Sequence, residues 1–124
     1  MLELIKETFM LNGFEFKLLE RKGDIVLYEL NKTLWKGTKD EVSWREYEVH
    51  KVRVKLIPIQ WQNKEFTHRE RLAGESAFGR YGWSFLELKR AKQKMLNIIN
   101  LEAEREVESN LRRKKYDTTE PRIP

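Results

Sequence analysis

Hydrophobic and polar positions alternate with period two along much of the N-terminal two thirds of this chain. Over residues 10–20, Phe14, Phe16 and Leu18 fall on one face and Glu15 and Lys17 on the other, as in a half-buried strand. Arg21-Lys22-Gly23-Asp24 supplies a turn, and residues 25–30 form a second strand, so the two make a hairpin. Residues 31–42 are polar, contain Gly37 and read as a loop, within which Trp35 is expected to find a packing site. Alternation resumes at residues 47–54, with Tyr47 and Val49 on one side and His50, Val52 and Val54 on the other. Residues 56–59 carry this strand towards an edge, because Pro58 cannot donate to a central ladder. A turn at residues 62–64 leads to a polar strand over 66–72, and residues 74–82 form a connection.

The period then changes. Ser84 followed by Glu87 reads as a capping box, so a helix is predicted to open there. Leu88, Ala91, Met95, Ile98 and Ile99 recur at steps of three and four and make a stripe that can pack on the sheet. Asn100 either caps a second helix over 101–115 or lies within one long helix. Acidic Glu102, Glu104, Glu106 and Glu108 precede basic Arg112 to Lys115, an order that suits a dipole starting near Asn100 and favours two helices. The expected fold is α+β: a small antiparallel sheet of about four strands followed by one or two C-terminal helices. The domain spans residues 1–116, and residues 117–124 form a flexible tail.

Composition narrows the function classes. The 124 residues are 40% hydrophobic and 36% charged, polar for a domain of this size, which points to long basic helices or an oligomer that hides further surface. The net charge of +5 favours anionic partners. With no cysteine, disulfides, thiolate catalysis and Cys-based zinc sites are excluded. The first ten residues carry Glu3, Lys6 and Glu7 and do not read as a signal peptide. No apolar run approaches a membrane span, so a cytoplasmic protein without a membrane partner is expected.

Candidate chemistry concentrates at Phe78-Gly79-Arg80-Tyr81-Gly82-Trp83-Ser84-Phe85, with four aromatics, two glycines and an arginine in eight residues. Trp83 and Phe85 suit a core, while Phe78 and Arg80 suit a rim where a planar base can stack. Arg53, between Val52 and Val54, is expected to face outward with Lys51 and Lys55, either as a solvated face or as an anion-binding strip. Arg105 lies among glutamates, where a helical ion pair is the ordinary explanation. His50 and His68 lack metal-motif spacing, no hydrolase elbow, Walker or dinucleotide fingerprint is present, and no catalytic role or cofactor is expected.

The N-terminal hairpin, the strand Tyr47-Glu48-Val49-His50-Lys51-Val52-Arg53, the Phe78 block and the C-terminal helix together resemble small phage proteins, and more narrowly the phage anti-Thoeris sponge family. That family sequesters cyclic ADP-ribose isomers made by bacterial TIR enzymes, and some members hold cyclic oligonucleotides, without cleaving them. The resemblance covers residues 14 to about 112. It implies that Arg53 is a strand arginine of the site, that Phe78 stacks on the ligand base beside Gly79 and Arg80, and that Arg105 contacts the ligand from a helix. No asparagine stands at the matching spacing, Asn97 being nearest, and this departure leaves the ligand identity open. The resemblance also implies a homo-oligomer, a dimer or higher up to a hexamer, built by pairing C-terminal helices and acting in the host cytoplasm. Two other classes stand beside it: a nucleic-acid-binding phage protein, although nucleic acid is not the expected partner, and a protein inhibitor of a host defence enzyme.

Overall fold

The structure is a computed structural model that describes residues 2–63 and 65–119, with side chains through Arg113. A five-stranded antiparallel sheet forms its centre, in the order β2 (Thr8–Leu11), β3 (Phe14–Lys22), β4 (Ile25–Leu34), β5 (Val42–Lys51) and β8 (Gly82–Phe85). A second sheet of three short strands is ordered β1 (Leu2–Glu3), β7 (His68–Arg71) and β6 (Arg53–Leu56), with β1 parallel to β7. One helix, α1 (Leu88–Thr119), ends the described chain. The α+β class and the mostly antiparallel sheet agree with the sequence reading. Among the described residues the strand number is higher, and there is one α-helix.

Period-two alternation sorts the side chains of the central sheet onto two buried faces. Ile25, Leu27 and Val49 point to α1 and pack on Ala91 and Met95, with Tyr47, Trp83, Phe85 and Leu88 around them. Phe16, Val26, Tyr28, Leu30 and Val52 form the core on the opposite face, closed by Ile5, Phe9, Phe14, Leu18 and Leu72. Within it the rings of Phe9 and Phe16 stack at 4.8 Å, and Tyr28 meets both edge-on. The chain passes from one sheet to the other at Val52, where its N–H leaves the β4 ladder and donates to the Asp24 carbonyl at 2.7 Å.

Several expectations need correction. Residues 10–20 hold the end of β2, a turn and most of β3. Asn12 and Gly13 both have positive φ, as a two-residue hairpin turn requires. The expected loop over 31–42 is half strand, since β4 runs to Leu34 and β5 starts at Val42. Trp35 does not pack: it is 63% exposed at the tip of that hairpin, with φ of 52°. Ser84 does not cap a helix. It pairs with Glu48 in β8, because burying Trp83 and Phe85 against β5 demands a strand, and α1 begins only at Leu88. Val54 is 56% exposed at the edge of the small sheet rather than buried in the core.

The helix does not break at Asn100. Ile98, Ile99 and Glu102 all face the sheet, Glu102 pairing with Lys51, so continuity across Asn100 keeps that side seated. From Ala103 to Arg113 every side chain is exposed. Residues 117–119, expected in a tail, continue the helix, and residues 120–124 lie outside the described residues.

Candidate functional site

A cleft of about 330 Å³ opens on the sheet face opposite α1. Its floor is the outward row of β5, Glu48 and His50, with Phe14, Phe16 and Lys32 from β3 and β4 beside them. Its far wall is the connection over 72–78, ending in Phe78. This connection is anchored in place. Glu70, at its start, is buried, accepts two hydrogen bonds from the Arg21 guanidinium at 2.8 and 2.6 Å, and takes the Ile5 N–H at 3.1 Å. The Arg21 hydrogen bonds hold the Glu70 carboxyl below its ordinary range against the opposing effect of burial.

His50 is the hinge between floor and wall. Its Nδ1 accepts the Ala73 N–H at 3.1 Å, so the ring proton sits on Nε2, which donates to Glu48 Oε1 at 2.8 Å. The ring is 1% exposed and meets Phe78 edge-on at 5.6 Å. Gly82 lies opposite His50 in the ladder, where a Cβ would stand 2.7 Å from Ala73 Cβ and 3.3 Å from His50 Nδ1. The wall can approach the floor this closely only because residue 82 has no side chain.

Farther along β4 and β5, Lys32 Nζ lies 2.7 Å from Glu46 and 4.7 Å from the Phe14 ring centre. Burial alone would raise the Glu46 pKa, but the hydrogen bonds from Lys32 and Trp44 outweigh it and the net shift is downward. Lys32 and Glu46 thus cancel, and Glu48 and Glu75 leave the cleft an acceptor-rich interior walled by aromatic rings. That combination suits a planar group bearing hydrogen-bond donors. It does not suit a phosphate inside the cleft.

The residues singled out in the sequence fall in three places. Phe78, 38% exposed, stands on the cleft wall. Gly79 has φ of 89° and starts a tight turn, its N–H bonded to the Gly82 carbonyl, with Arg80 exposed at the tip. Arg53 lies on β6, its guanidinium 4.5 Å from the Tyr81 ring centre and its Nε buried with no hydrogen-bond partner. Lys51 does not share its face: the chain bends at Val52, and Lys51 turns to Glu102 on the helix. Asn97 and Arg105 lie on α1, across the sheet from the cleft. Asn97 bonds Gln93 at 2.9 Å, and Arg105 lines a shallow exposed hollow with Glu108 and Arg112. Within one chain they do not join Phe78.

Sequence reasoning does not single out His50, Glu48 and Lys32 as site residues. His50 looks unpartnered along the chain, yet Glu48 is two positions away on the same strand face, which the alternation of β5 already implies. Among the described residues no cluster of side chains could hold a metal ion, and no helix is long and apolar enough to cross a membrane. Comparison with protein-family models, with curated proteins and with solved structures finds no match to the chain.

Proposed function

We propose that the protein binds a nucleotide-like small molecule and holds it unchanged, with the planar ring in the cleft against Phe78. One observation carries the reading: a half-exposed aromatic ring forms the wall of a cleft whose floor offers the Glu48 carboxylate. The amino group of a base can donate to Glu48 while its face lies on Phe78, a contact worth about 1–3 kcal/mol. His50 commits both ring nitrogens to holding the cleft, which supports binding over turnover. Arg80 and Arg53 flank the same turn and are available to the charged part of such a ligand.

The resemblance to phage anti-Thoeris sponges supplies the ligand class, a cyclic ADP-ribose isomer or related cyclic nucleotide, and the role, sequestration of an immune signal in the host cytoplasm. Asn97 and Arg105 can reach a bound ligand only from a second copy, so this reading requires a homo-oligomer. The exposed half of α1 suits that pairing. Leu96, Ala103, Val107 and Leu111 lie along one side of it, and antiparallel copies would set Glu104 and Glu108 against Arg112 and Arg113.

Calorimetric titration with cyclic ADP-ribose isomers tests the reading. Phe78→Ala is expected to weaken binding about tenfold or more, as 1.4 kcal/mol corresponds to a factor of ten, with the ligand released intact on heating. Equal affinity in the variant, or recovery of a cleaved nucleotide, would overturn it.

A further inference from the structure

The small sheet carries a charge pattern that the fold alone does not account for. In the β6–β7 ladder Arg53 stands opposite Arg71, and Lys55 opposite Arg69. Directly opposed residues of an antiparallel pair project to the same face with Cβ atoms roughly 4.5–5.5 Å apart, and like charges so placed repel. The next pair along lies only about 6.6 Å away. Four cations therefore occupy one compact quadrilateral. Arg69 is balanced by Glu3, its Nε donating at 2.7 Å. Among the described residues Arg53, Lys55 and Arg71 make no ion pair with a carboxylate.

Protection of a sheet edge explains part of this pattern only. Edge strands use lysine against unwanted pairing, and Lys55 sits on such an edge. Arg69 sits on β7 between β1 and β6 and needs no such device, while Arg71 lies past the end of β1, directly opposite a second arginine. Two arginines face each other, and arginine presents a planar fork that grips phosphate oxygens in pairs. The Arg53 fork is already oriented by Tyr81, and its Nε is buried without a partner.

We propose that this strip is an anion site for a condensed phosphate group, a pyrophosphate or triphosphate, with Arg53 and Arg71 as the paired forks and Lys55 beside them. Compactness selects the ligand: the cluster matches two or three adjoining phosphates rather than an extended track. Arg53 is shared with the nucleotide reading, but Arg71 and Lys55 lie outside the cleft lining and a condensed phosphate has no ring for Phe78, so its binding tests the strip by itself.

Inorganic pyrophosphate and tripolyphosphate serve as probes in calorimetry at low salt, with melting curves confirming that each variant is folded. The intact protein should bind both. Arg71→Glu and Lys55→Glu should each weaken binding about tenfold or more, while Arg71→Lys, which keeps the charge and loses the fork, should weaken it less. Lys39→Glu makes the same charge change at the distant β4–β5 turn and should leave affinity within about twofold. No binding by the intact protein, unchanged affinity in Arg71→Glu, or an equal loss in Lys39→Glu would overturn the proposal. So would tighter binding of an oligothymidylate than of tripolyphosphate, which would make the strip part of a single-stranded nucleic-acid track.

Discussion

Gly82→Ala tests whether the cleft wall is held as the structure describes. The added Cβ would stand 2.7 Å from Ala73 Cβ, 3.3 Å from His50 Nδ1 and 3.4 Å from Phe78 Cζ. The first contact cannot be tolerated, and the latter two need only small adjustments. Forcing a methyl into a packed site costs about 1–3 kcal/mol. Relief requires the connection over 72–74 to retreat, which stretches the Ala73 N–H to His50 hydrogen bond and adds roughly 1 kcal/mol. The expected loss is about 2–4 kcal/mol, read as a fall in the urea midpoint of about 1–2 M for a small domain.

The same geometry predicts a rescue. Ala73→Gly removes the atom that the new methyl strikes, so the double variant should recover about 1–3 kcal/mol relative to the sum of the single losses. Gly79→Ala is the contrasting control. Its φ is 89° and an added Cβ would meet no atom within 4 Å, so its cost is backbone strain, about 1–2 kcal/mol, which Ala73→Gly should not relieve. A Gly82→Ala variant within ~0.5 kcal/mol of the parent, or a double variant with no coupling, would refute this account of the wall.

Glu70→Gln should destabilise the fold by about 2–3 kcal/mol in urea denaturation, below the range for a fully buried pair because Arg21 partly reaches water. Since the Glu70 pKa is lowered on folding, its contribution is present above the ordinary carboxylate range and is lost as pH falls through the folded value, so the variant should show a flatter acid limb. Burial pushes the Tyr28 phenol up to about 12, and its hydroxyl donates to the Lys6 carbonyl at 2.8 Å. Stability should therefore be full below about pH 10 and fall as pH rises from there towards 12, and melting curves of Tyr28→Phe should lose this alkaline limb. Light scattering should give at least twice the 15.0 kDa chain mass, and Val107→Glu should return the protein to a monomer; a monomeric parent at micromolar concentration would refute helix pairing.

Local pattern reveals the elements whose partners are near in sequence. The Gly23 hairpin, the strand around Tyr47 to His50 and the stripe Leu88, Ala91, Met95, Ile98 all follow from periods of two or 3.6. The extension of β4 and β5 through polar residues does not, because what holds it is cross-strand: Lys32 with Glu46, and the Thr33 and Ser43 hydroxyls at 3.1 Å. The Asn12-Gly13 turn is readable, yet the flanking alternation runs on so regularly that the two strands look like one. The small sheet is least legible, since it joins Glu3 to Arg69 and Arg53 to Arg71 across long stretches of chain.

The candidate site divides along the same line. Phe78 is legible as an aromatic in a glycine-flanked turn, but the cleft it lines depends on three anchors that no local pattern shows. Glu70 is tied to Arg21 and Ile5, Leu72 is packed on the Tyr28 core, and Ala73 is bonded to His50. These anchors fall within four residues, from Glu70 near the end of β7 to Ala73 in the irregular connection that follows it. Such a segment, with few ladder bonds of its own, takes its position from whatever its side chains and free N–H groups reach. The buried histidine is therefore part of the architecture of the cleft: it turns the period-two face of β5 into a floor and fixes the wall that carries Phe78 at hydrogen-bond distance above it. Without the Ala73 bond, the wall would keep its anchors at Glu70 and Leu72 and the turn at Gly79, but the segment leading to Phe78 would lose its hydrogen bond to the floor, and with it the defined width of the cleft.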